Sequence, residues 1–392
     1  MAHAGDGTQS TCPAGRGGNV ACQIRDMRTS VFRRAPRARW LAAAASAAAA
    51  LAICAVAVER RTRRAERDFP PRGRFVTVDG VRLHFTVQGR DDAAQTVVML
   101  HGNALMAEEF DLSGLVRLAA ERYRVVVFDR PGYGWSDRPH DRRWDPQAQA
   151  DLLHAALRRL GVVDPVVLGH SWGAVVALAM GLRHPEDIGS LVLASGYYFP
   201  TVRLDTPLLA APALPVVGTL WRHTVAPLLG RLLWPLAMRR LFGPGPTPAA
   251  FRERYPVAMS LRPSQLRASA AESAMLLPAT AALRRSYGEL DVPAVLVAGA
   301  DDRMSSTRWQ SGRLHHRLAH SWLRIVEGSG HMIHHAATGQ VMAAIDQAAA
   351  IVWDRSLLLR PATGLRGDVA SGSVARPGGI AGVPFLPCAE RR

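Results

Sequence analysis

Short apolar runs rich in β-branched residues recur through the central part of the chain, separated by stretches with helical periodicity. The runs predict eight strands, at residues 75–78, 81–87, 96–100, 123–128, 165–168, 190–193, 294–297 and 322–326. Intervening stretches predict helices, among them residues 145–160, 174–184 and 337–353. Continuous apolar strands that alternate with helices form parallel sheets covered on both faces. We therefore expect an α/β fold over residues 70–354, with a mostly parallel eight-stranded sheet and helices on both faces.

One long interval breaks the alternation. Residues 197–291 carry no strand pattern but a series of helical segments punctuated by proline, including residues 220–233 and 268–277. In a sheet protein an insertion of this length commonly forms a lid over a site. We expect residues 197–291 to form an inserted helical cap, and its apolar character on both helix faces favours an apolar substrate.

The residue types present exclude several functions. All 48 residues of the Lys+Arg total are arginine. A Walker A phosphate loop, a protein kinase and a pyridoxal enzyme each need a lysine, so none of them is expected. The four cysteines are Cys12, Cys22, Cys54 and Cys388, all outside the predicted domain. A cysteine zinc site, a CxxC redox pair and a disulfide framework are therefore not expected within it.

The net charge of +16 is concentrated outside the predicted domain. Residues 1–74 contain 14 Arg and 5 acidic residues, residues 355–392 contain 6 and 2, and residues 75–354 contain 28 and 25. Nucleic-acid binding needs a basic surface on the folded part and aromatic side chains that stack on bases. Because the domain is nearly neutral and aromatic residues make up 6% of the chain, we expect no nucleic-acid partner.

An uncharged segment, residues 40–58, lies between two groups of arginines. At about 1.5 Å rise per residue, a helix of this length just spans a hydrocarbon core of about 30 Å. The segment predicts a single-pass N-terminal membrane anchor. Two alternatives stay open: export after signal-peptide cleavage, since residues 55–57 read Ala-Val-Ala, and a soluble alanine-rich helix. Arginines flank both sides about equally, so they do not define the side of the membrane.

The two ends of the chain carry no apolar periodicity. We expect residues 1–39 to be a disordered basic N-terminus and residues 355–392 to be a disordered tail. Met27 precedes the basic region as a start codon would. Translation from Met1 and translation from Met27 therefore both fit the sequence.

Residues 169–173 read Gly-His-Ser-Trp-Gly, between a predicted strand and a predicted helix. A sharp strand-to-helix turn pushes a serine hydroxyl out of the sheet edge, and glycine two residues to either side permits close backbone approach. The pentapeptide alone is a weak signal, and the strand before it and the helix after it give it weight. Ser171 is therefore the candidate nucleophile.

Two later turns follow strands in the chain order of a serine, acid and histidine triad. A Gly-Ala-Asp-Asp turn follows the seventh strand, and a Gly-Ser-Gly-His turn follows the eighth. His331 would take the Ser171 proton, while a carboxylate holds the histidine tautomer and stabilises the imidazolium. Asp301 and Asp302 both fit the position of the acid.

Together these motifs resemble the α/β-hydrolase superfamily, in the branch with a serine nucleophile and a single helical cap. The likeness covers about residues 74–354. Besides the three turns above, it rests on Leu-His-Gly-Asn at residues 100–103 and Phe-Asp-Arg-Pro-Gly-Tyr-Gly-Trp-Ser-Asp at residues 128–137. The resemblance implies that residues 129–137 form a structural turn near the site, in which Ser136 is not a nucleophile.

The resemblance also implies roles for further residues. The backbone N–H groups of Asn103 and Trp172 would form an oxyanion hole, with donors placed where negative charge develops. The family's spacing from Gly299 favours Asp302 over Asp301 as the acid.

Asn103 paired with Trp172 is also similar to the halide-binding pair of haloalkane dehalogenases. That branch, like the epoxide hydrolases, attacks with an aspartate at the elbow, whereas this chain has Ser171. A serine forms an acyl-enzyme from an ester, thioester, amide or activated ketone, and it is not suited to alkylating displacement. The departure at this position therefore excludes dehalogenation.

His334 and His335 lie close to His331 in sequence and suggest a metal cluster. Adjacent histidines do not share a helix face. We therefore expect neither a metal nor a cofactor.

The sequence predicts a serine hydrolase that acts on a hydrophobic carboxylic ester through a Ser171 acyl-enzyme. A carbon-carbon bond hydrolase and a cofactor-free perhydrolase use the same triad and stay open as alternatives. The patterns carry no signal for the oligomeric state. An alternative of another class is a catalytically silent binding protein, which would need neither the complete triad nor the oxyanion position.

Overall fold

The computed structural model describes residues 18–201 and 209–359, with side chains for residues 38–201 and 209–354. Its contacts divide the chain into two compact units, Met1–Val56 and Ala57–Arg392. Among the described residues, the first unit contains only helix α1 (Gly18–Asp68), which continues into the second unit. Within α1, the stretch Ala38–Asp68 is long and apolar enough to cross a membrane, by length and composition.

Helical structure extends further toward both ends of the chain than predicted. The sequence predicts disorder over residues 1–39, whereas α1 begins at Gly18 in the structure; residues 1–17 lie outside the described residues. Extending a helix that already exists needs no new nucleus, and Arg, Ala and Met are good helix formers. The sequence also predicts a disordered tail from residue 355, whereas the last helix continues to Leu359. Residues 360–392 also lie outside the described part.

The compact unit begins before residue 70, where the domain was predicted to start. Val58 and Ala65 of α1 are both buried, and Ala65 belongs to an apolar cluster that contains Met238 and Tyr255. The last turns of α1 therefore pack as part of the domain. Helix α1 contains these two buried residues as well as the uncharged segment.

One sheet contains all eight predicted strands, each within about two residues of its predicted ends. The strands are β1 (Arg74–Val78), β2 (Val81–Gln88), β3 (Thr96–Leu100), β4 (Arg124–Phe128), β5 (Val166–His170), β6 (Ser190–Ala194), β7 (Ala294–Gly299) and β8 (Ser321–Val326). Their order is β1-β2-β4-β3-β5-β6-β7-β8. The pairs β1–β2 and β2–β4 are antiparallel, and the other pairs are parallel. The predicted fold class is confirmed.

Helices cover the sheet and connect its strands. In the second unit they are α2 (Glu108–Ser113), α3 (Leu115–Ala120), α4 (Pro146–Arg159), α5 (Trp172–Arg183), α6 (Val217–His223), α7 (Ala226–Phe242), α8 (Ala249–Arg254), α9 (Val257–Ser260), α10 (Pro263–Leu283), α11 (Arg313–His315), α12 (Ile333–Ala336) and α13 (Thr338–Leu359). Helices α2 and α3 were not predicted, because each is only six residues long.

Alternate residues of the strands build two apolar cores, one on each face of the sheet. In β3, Val98 and Leu100 pack with α4 and α5, whereas Val97 and Met99 pack with α3 and α13. Side chains of a strand point alternately to opposite faces. Burial of both faces therefore explains why these strands read as continuous apolar runs.

The described residues between β6 and β7 form helices α6 to α10 and contain no strand. The predicted helix at residues 220–233 is two helices, α6 and α7, which meet at Thr224 and Val225. Pro227 lies in the first turn of α7, where a missing N–H costs no hydrogen bond, and it starts a new helix there. The predicted helix at residues 268–277 lies inside the longer α10.

The turn from β5 into α5 depends on two glycines. A Cβ at Gly169 would lie 2.2 Å from the carbonyl oxygen of Gly173, and one at Gly173 would lie 2.0 Å from that of Leu100. Ser171, which lies between them, has φ 54° and ψ −114°. Residues other than glycine seldom adopt this backbone conformation. The strand, turn and helix therefore approach more closely than any larger residue would allow.

This contact predicts the effect of one added methyl group. Gly173→Ala should lower the free energy of unfolding by about 1–3 kcal/mol or more. The added methyl group meets the Leu100 backbone, which cannot move without disturbing the central strand β3. Gly339→Ala is the matched control, since nothing lies within 4 Å of a Cβ there and alanine favours a helix. Denaturant unfolding of both variants measures the difference, and equal midpoints would contradict the packing described.

Candidate active site

Ser171 lies at the carboxyl end of β5, immediately before α5. Its backbone N–H donates to the Ala194 carbonyl at 2.9 Å, which fixes the turn to the neighbouring strand β6. The helix that follows directs its N-terminal N–H groups, and the positive end of its dipole, toward the serine. The turn therefore presents the Ser171 hydroxyl at the sheet edge where developing negative charge is favoured.

His331 lies in the turn after β8, with its ring between Ser171 and Asp302. Its Nε2 is 3.0 Å from Ser171 Oγ, and its Nδ1 is 2.8 Å from Asp302 Oδ2. Because Nδ1 faces a carboxylate, the proton of the neutral ring resides on Nδ1 and Nε2 is left as an acceptor. The imidazole is thus oriented to accept the proton of the serine hydroxyl.

Asp302 is held in place by its own loop after β7. Its Oδ1 accepts the backbone N–H groups of Met304 and Ser305, at 2.8 and 2.9 Å. Burial alone would raise the pKa of this carboxyl, but the interaction with His331 and these hydrogen bonds lower it below its usual value. The Asp302 side chain is only 1% exposed, whereas Asp301 lies exposed at the surface. Of the two predicted acids, the structure brings Asp302 to His331.

The two predicted oxyanion residues come from two different elements, the start of α5 and the loop after β3. Trp172 is the first residue of α5, so its N–H has no acceptor within the helix. Asn103 follows β3, and its side-chain amide donates to Ser269 O and Ser273 Oγ of α10 at 3.2 and 3.1 Å. Both hydrogen bonds of this amide group are therefore made to the cap. In the halide-binding pair that Asn103 and Trp172 resemble, the amide would instead bind the halide.

Ser136 is the serine that the resemblance assigns to a structural turn. Its hydroxyl both donates and accepts a hydrogen bond within that turn. It donates to Asp129 O at 2.6 Å and accepts the His84 N–H at 2.8 Å. The Asp129 carboxylate accepts from His84 Nδ1 at 2.8 Å and from the Trp135 N–H at 3.1 Å. These bonds hold the turn together. The Ser136 proton is donated to a backbone carbonyl, which is not a base that could activate the serine as a nucleophile.

A buried ion pair joins the cap to the site. Arg130, directly after β4, donates to both carboxylate oxygens of Glu272 in α10, at 2.6 and 3.1 Å. Both side chains are fully buried. Burial alone would raise the pKa of Glu272, but the Arg130 charge lowers it below its usual value. The Tyr133 hydroxyl lies 2.7 Å from Glu272 Oε2 and 2.8 Å from Asn103 Oδ1, and its single proton is shared between these two acceptors. The buried pair therefore also positions the Asn103 side chain.

No local pattern in the sequence indicates this pair. Glu272 lies in the interior of a helix, 142 residues from Arg130 in the chain. Periodicity identifies the helix but cannot show which of its positions meets an arginine of another loop.

A second buried cluster, also not predicted, lies behind His331. Glu109 of α2 is 3.6 Å from His170 Nδ1 and 3.7 Å from His334 Nε2. His170 Nε2 in turn lies 3.0 Å from the backbone oxygen of His331, so the cluster contacts the segment that carries the histidine. Burial lowers the pKa of His334 to about 4, so its ring is neutral at physiological pH.

The same cluster is the described group whose atoms come nearest to a metal-binding arrangement. Ligand atoms of Glu109, His334 and His335 lie within 4.8 Å of one another. Zinc bonds of about 2.0–2.1 Å require ligand atoms about 3.3 Å apart. Glu109 Oε2 and His334 Nε2 are 3.7 Å apart, close to that value. The expectation that the protein needs no metal stays a prediction.

These elements define an α/β protein with a serine, histidine and carboxylate site at the sheet edge. A family model described as the alpha/beta hydrolase fold matches residues 95–337. The chain belongs to the α/β-hydrolase fold family.

Three curated relatives to which the chain is similar have a named activity. The chain is 33% identical over 129 residues to a cis-3-alkyl-4-alkyloxetan-2-one decarboxylase of Xanthomonas campestris pv. campestris, covering 31% of this chain and 42% of the relative. It is 30% identical over 241 residues to a pimeloyl-[acyl-carrier protein] methyl ester esterase of Neisseria meningitidis serogroup A, covering 61% and 72%. It is 29% identical over 153 residues to a 2-hydroxymuconate semialdehyde hydrolase of Pseudomonas putida, covering 38% and 53%. The chain thus spans less than two thirds of two of these relatives.

A solved structure supports the fold. A membrane phospholipase A, described as a bacterial virulence factor, superposes with a TM-score of 0.54 at 22% identity, over 81% of this chain and 99% of that one. At this identity the likeness concerns the fold alone.

The ion pair between Arg130 and Glu272 predicts a large loss of stability when one partner is removed. Glu272→Gln keeps the side-chain volume but leaves the buried guanidinium without its counter-charge, which should cost about 3–5 kcal/mol. The Arg90–Asp92 pair is bidentate as well, at 2.8 and 2.6 Å, but exposed. Asp92→Asn should therefore leave the denaturant midpoint almost unchanged. Equal effects of the two substitutions would show that the buried pair does not hold the cap.

Proposed function

We propose that the protein is a serine hydrolase that cleaves a carboxylic ester with a hydrophobic portion, through an acyl-enzyme on Ser171. One observation carries the proposal: His331 is within hydrogen-bond distance of Ser171 Oγ on one side and of Asp302 on the other. A nucleophile, a base and an acid that orients the base are the arrangement that covalent acyl transfer needs.

The geometry supports a two-stage reaction. Ser171 Oγ attacks the ester carbonyl carbon while His331 Nε2 takes the hydroxyl proton, and the oxyanion accepts hydrogen bonds from the Asn103 and Trp172 N–H groups. Collapse of this intermediate expels the alcohol, which receives the proton from His331. Water then attacks the acyl carbon while His331 takes one of its protons, and the bond to Ser171 Oγ breaks as His331 returns that proton to the serine. The carboxylic acid leaves and the free enzyme is restored. Asp302 stabilises the imidazolium in both stages.

An ester is favoured over the alternatives by the relatives and by the cap. A methyl ester esterase matches the chain over 72% of its own length. Cleavage of a carbon-carbon bond stays a second candidate, since a semialdehyde hydrolase matches at 29% identity over a shorter stretch. A catalytically silent binding protein is disfavoured, because it would need neither the hydrogen-bonded triad nor the oxyanion position. We also propose that residues 197–291 act as the cap that selects the substrate.

We further propose that α1 anchors the protein in a membrane as a single-pass helix. Its apolar stretch exposes Trp40, Leu41 and Ile53, which is unfavourable in water and favourable in lipid. A signal sequence passes the same test of length and composition, so export after cleavage is the competing proposal.

A chain-length series of p-nitrophenyl esters tests the hydrolase proposal on the full chain in detergent. We expect turnover that rises with acyl length until the cap limits the pocket. Ser171→Ala should lower kcat by a factor on the order of 10³ or more, leaving only the contribution of binding and the oxyanion hole. Asp302→Asn should cost on the order of 10³ through the wrong His331 tautomer.

The neighbouring acid provides the control for that series. Asp301→Asn changes the same charge on an exposed side chain, so its kcat should stay close to that of the unmodified protein. Reversed rates for the two aspartate variants would overturn the assignment of the acid. Turnover that survives Ser171→Ala would overturn the nucleophile.

Membrane fractionation tests the anchor. The full chain should stay in the membrane fraction after a high-salt wash, with peptides from residues 40–58 still attached. Ala49→Arg places a charge near the middle of an alanine-rich span at a cost of about 2.5–3.5 kcal/mol, and it should release the protein. Val163→Arg, on an exposed loop of the domain, is the control and should not. A soluble mature chain that begins near Val58 would establish signal-peptide cleavage instead.

A further inference from the structure

The cap exposes an apolar helix face to solvent. Four exposed leucines of α7 share the spacing i, i+3, i+4 and i+7: Leu229, Leu232, Leu233 and Leu236. This spacing puts them on one side of the helix. The other side is apolar too, since Met238 and Phe242 are buried within the domain. A helix that is apolar on both sides needs a second apolar environment for its outer face.

Helix α6 and the turn before it enlarge this surface. Helix α6 packs against α7, and four more large apolar side chains are exposed on it and just before it: Leu214, Val216, Val217 and Leu220. Val216 is 80% exposed and Leu232 is 76% exposed. Contiguous apolar surface of this extent is rare on soluble monomers and indicates an interaction site. We call the exposed residues of α6, α7 and this turn the cap face.

The segment that carries the cap face has charges of a single sign. The acidic residues near it, Glu59, Glu66 and Asp68, belong to α1, and each is paired with an arginine. Residues 209–252 contain five arginines and no aspartate or glutamate. Arg231 and Arg239 are exposed on α7, and long arginine side chains extend from an apolar surface to polar headgroups. The partner that fits this surface therefore has an apolar interior and a negatively charged surface layer.

A basic cavity of about 450 Å³ lies beside α6. Its lining combines Arg222 of α6 with Arg138, Arg267 and His140. Burial, and then the charges of Arg222 and Arg138, lower the pKa of Arg267, which shows cations crowded together. The cavity lining also includes two carboxylates, and each is paired with an arginine of the same lining: Glu66 with Arg262 at 3.0 Å and Asp137 with Arg82 at 3.8 Å. A phosphate group would relieve the remaining repulsion.

The cap face lies next to the end of the proposed anchor. Val58, where the uncharged segment ends, lines a cavity of about 440 Å³ together with Pro227 and Arg231 of α7. Because a helix rises about 1.5 Å per residue, Val58 and Ala65 are only about 10 Å apart along α1. The cap therefore contacts α1 within the first two turns after residue 58, where the uncharged segment ends.

We propose that the cap face docks onto a bilayer that contains anionic lipids, as a second membrane contact besides the helix anchor. The leucines of α7 enter the boundary between headgroups and acyl chains, and the arginines and the basic cavity meet the lipid phosphates. This inference rests on the proposed function and deepens it. The cap that selects the substrate is placed at the lipid surface, so the substrate class is an ester that resides in the membrane.

Site-specific fluorescence in single-copy nanodiscs tests the docking on the full chain. The four native cysteines are replaced by serine, and the environment-sensitive dye NBD is attached at Leu232→Cys or, as control, at Val163→Cys. Val163 is 75% exposed and belongs to a loop far in sequence from the cap. With phosphatidylglycerol in the disc, we expect blue-shifted emission and protection from aqueous iodide at position 232 only. Discs of phosphatidylcholine alone should give weaker protection.

Each alternative occupant has its own outcome. One protein copy per disc removes the possibility that a second copy covers the cap face, so protection seen only in discs with two copies would replace the bilayer by a dimer. Equal iodide access at positions 232 and 163 in both lipid compositions would overturn the proposal. Equal protection with and without phosphatidylglycerol would overturn the role of the anionic headgroups.

A kinetic comparison separates failure of docking from failure of the hydrolase proposal. The double variant Leu232→Glu and Leu236→Glu should lower turnover of a long-chain ester embedded in vesicles by about tenfold or more, because it opposes burial in lipid. The readout is the ratio of this rate to the rate on water-soluble p-nitrophenyl acetate, which corrects for any effect of the substitutions on the cap itself. This ratio should fall by about tenfold or more in the double variant and should stay unchanged in Val163→Glu. An equal loss on both esters would contradict docking. Absence of any turnover by the unmodified protein would instead overturn the proposed function, while the fluorescence still decides the docking.

Discussion

The arrangement around the candidate site depends on the buried guanidinium of Arg130. Besides its two bonds to Glu272, it donates to the backbone oxygens of His101 and Gly102, at 2.7 and 2.9 Å, and to Gln149 of α4 at 2.9 Å. One side chain thus connects the loop after β3, the loop after β4, a helix of the sheet layer and the cap. A buried charge is tolerated only when every partner is present. The position of α10 over Asn103 is therefore coupled to the folding of the sheet below it.

The catalytic geometry has a comparable dependence on backbone placement. Ser171, Asp302 and His331 come from three turns after β5, β7 and β8, and each turn is fixed by contacts that involve backbone atoms. The side chains need little freedom of their own because the parallel strands already bring these turns to one edge. Behind them, Glu109 with His170 and His334 forms a polar layer that contacts the His331 backbone. The site therefore rests on polar contacts on both its cap side and its core side.

The parts of this architecture that depend on local sequence could be predicted, and those that depend on distant pairing could not. Apolar runs predicted all eight strands, and the glycines at 169 and 173 marked the turn that holds Ser171. The structure brings the predicted Asp302 and His331 to it, whereas their catalytic roles stay a prediction. Glu272 and Glu109 were missed because nothing within a few residues of either distinguishes a buried carboxylate from a surface one. The helical start at Gly18 and the burial of Ala65 were missed because composition alone does not show where a helix packs.

The central claim is that Ser171 is the nucleophile activated by His331. Labelling of the full chain with a fluorophosphonate, followed by peptide mass spectrometry, tests it most directly, because this probe phosphonylates a serine only when a neighbouring base removes its proton. We expect one adduct, on Ser171, and we expect it to form far more slowly in His331→Gln. An adduct on Ser136 or Ser305, or no adduct on the folded protein at neutral pH, would contradict it.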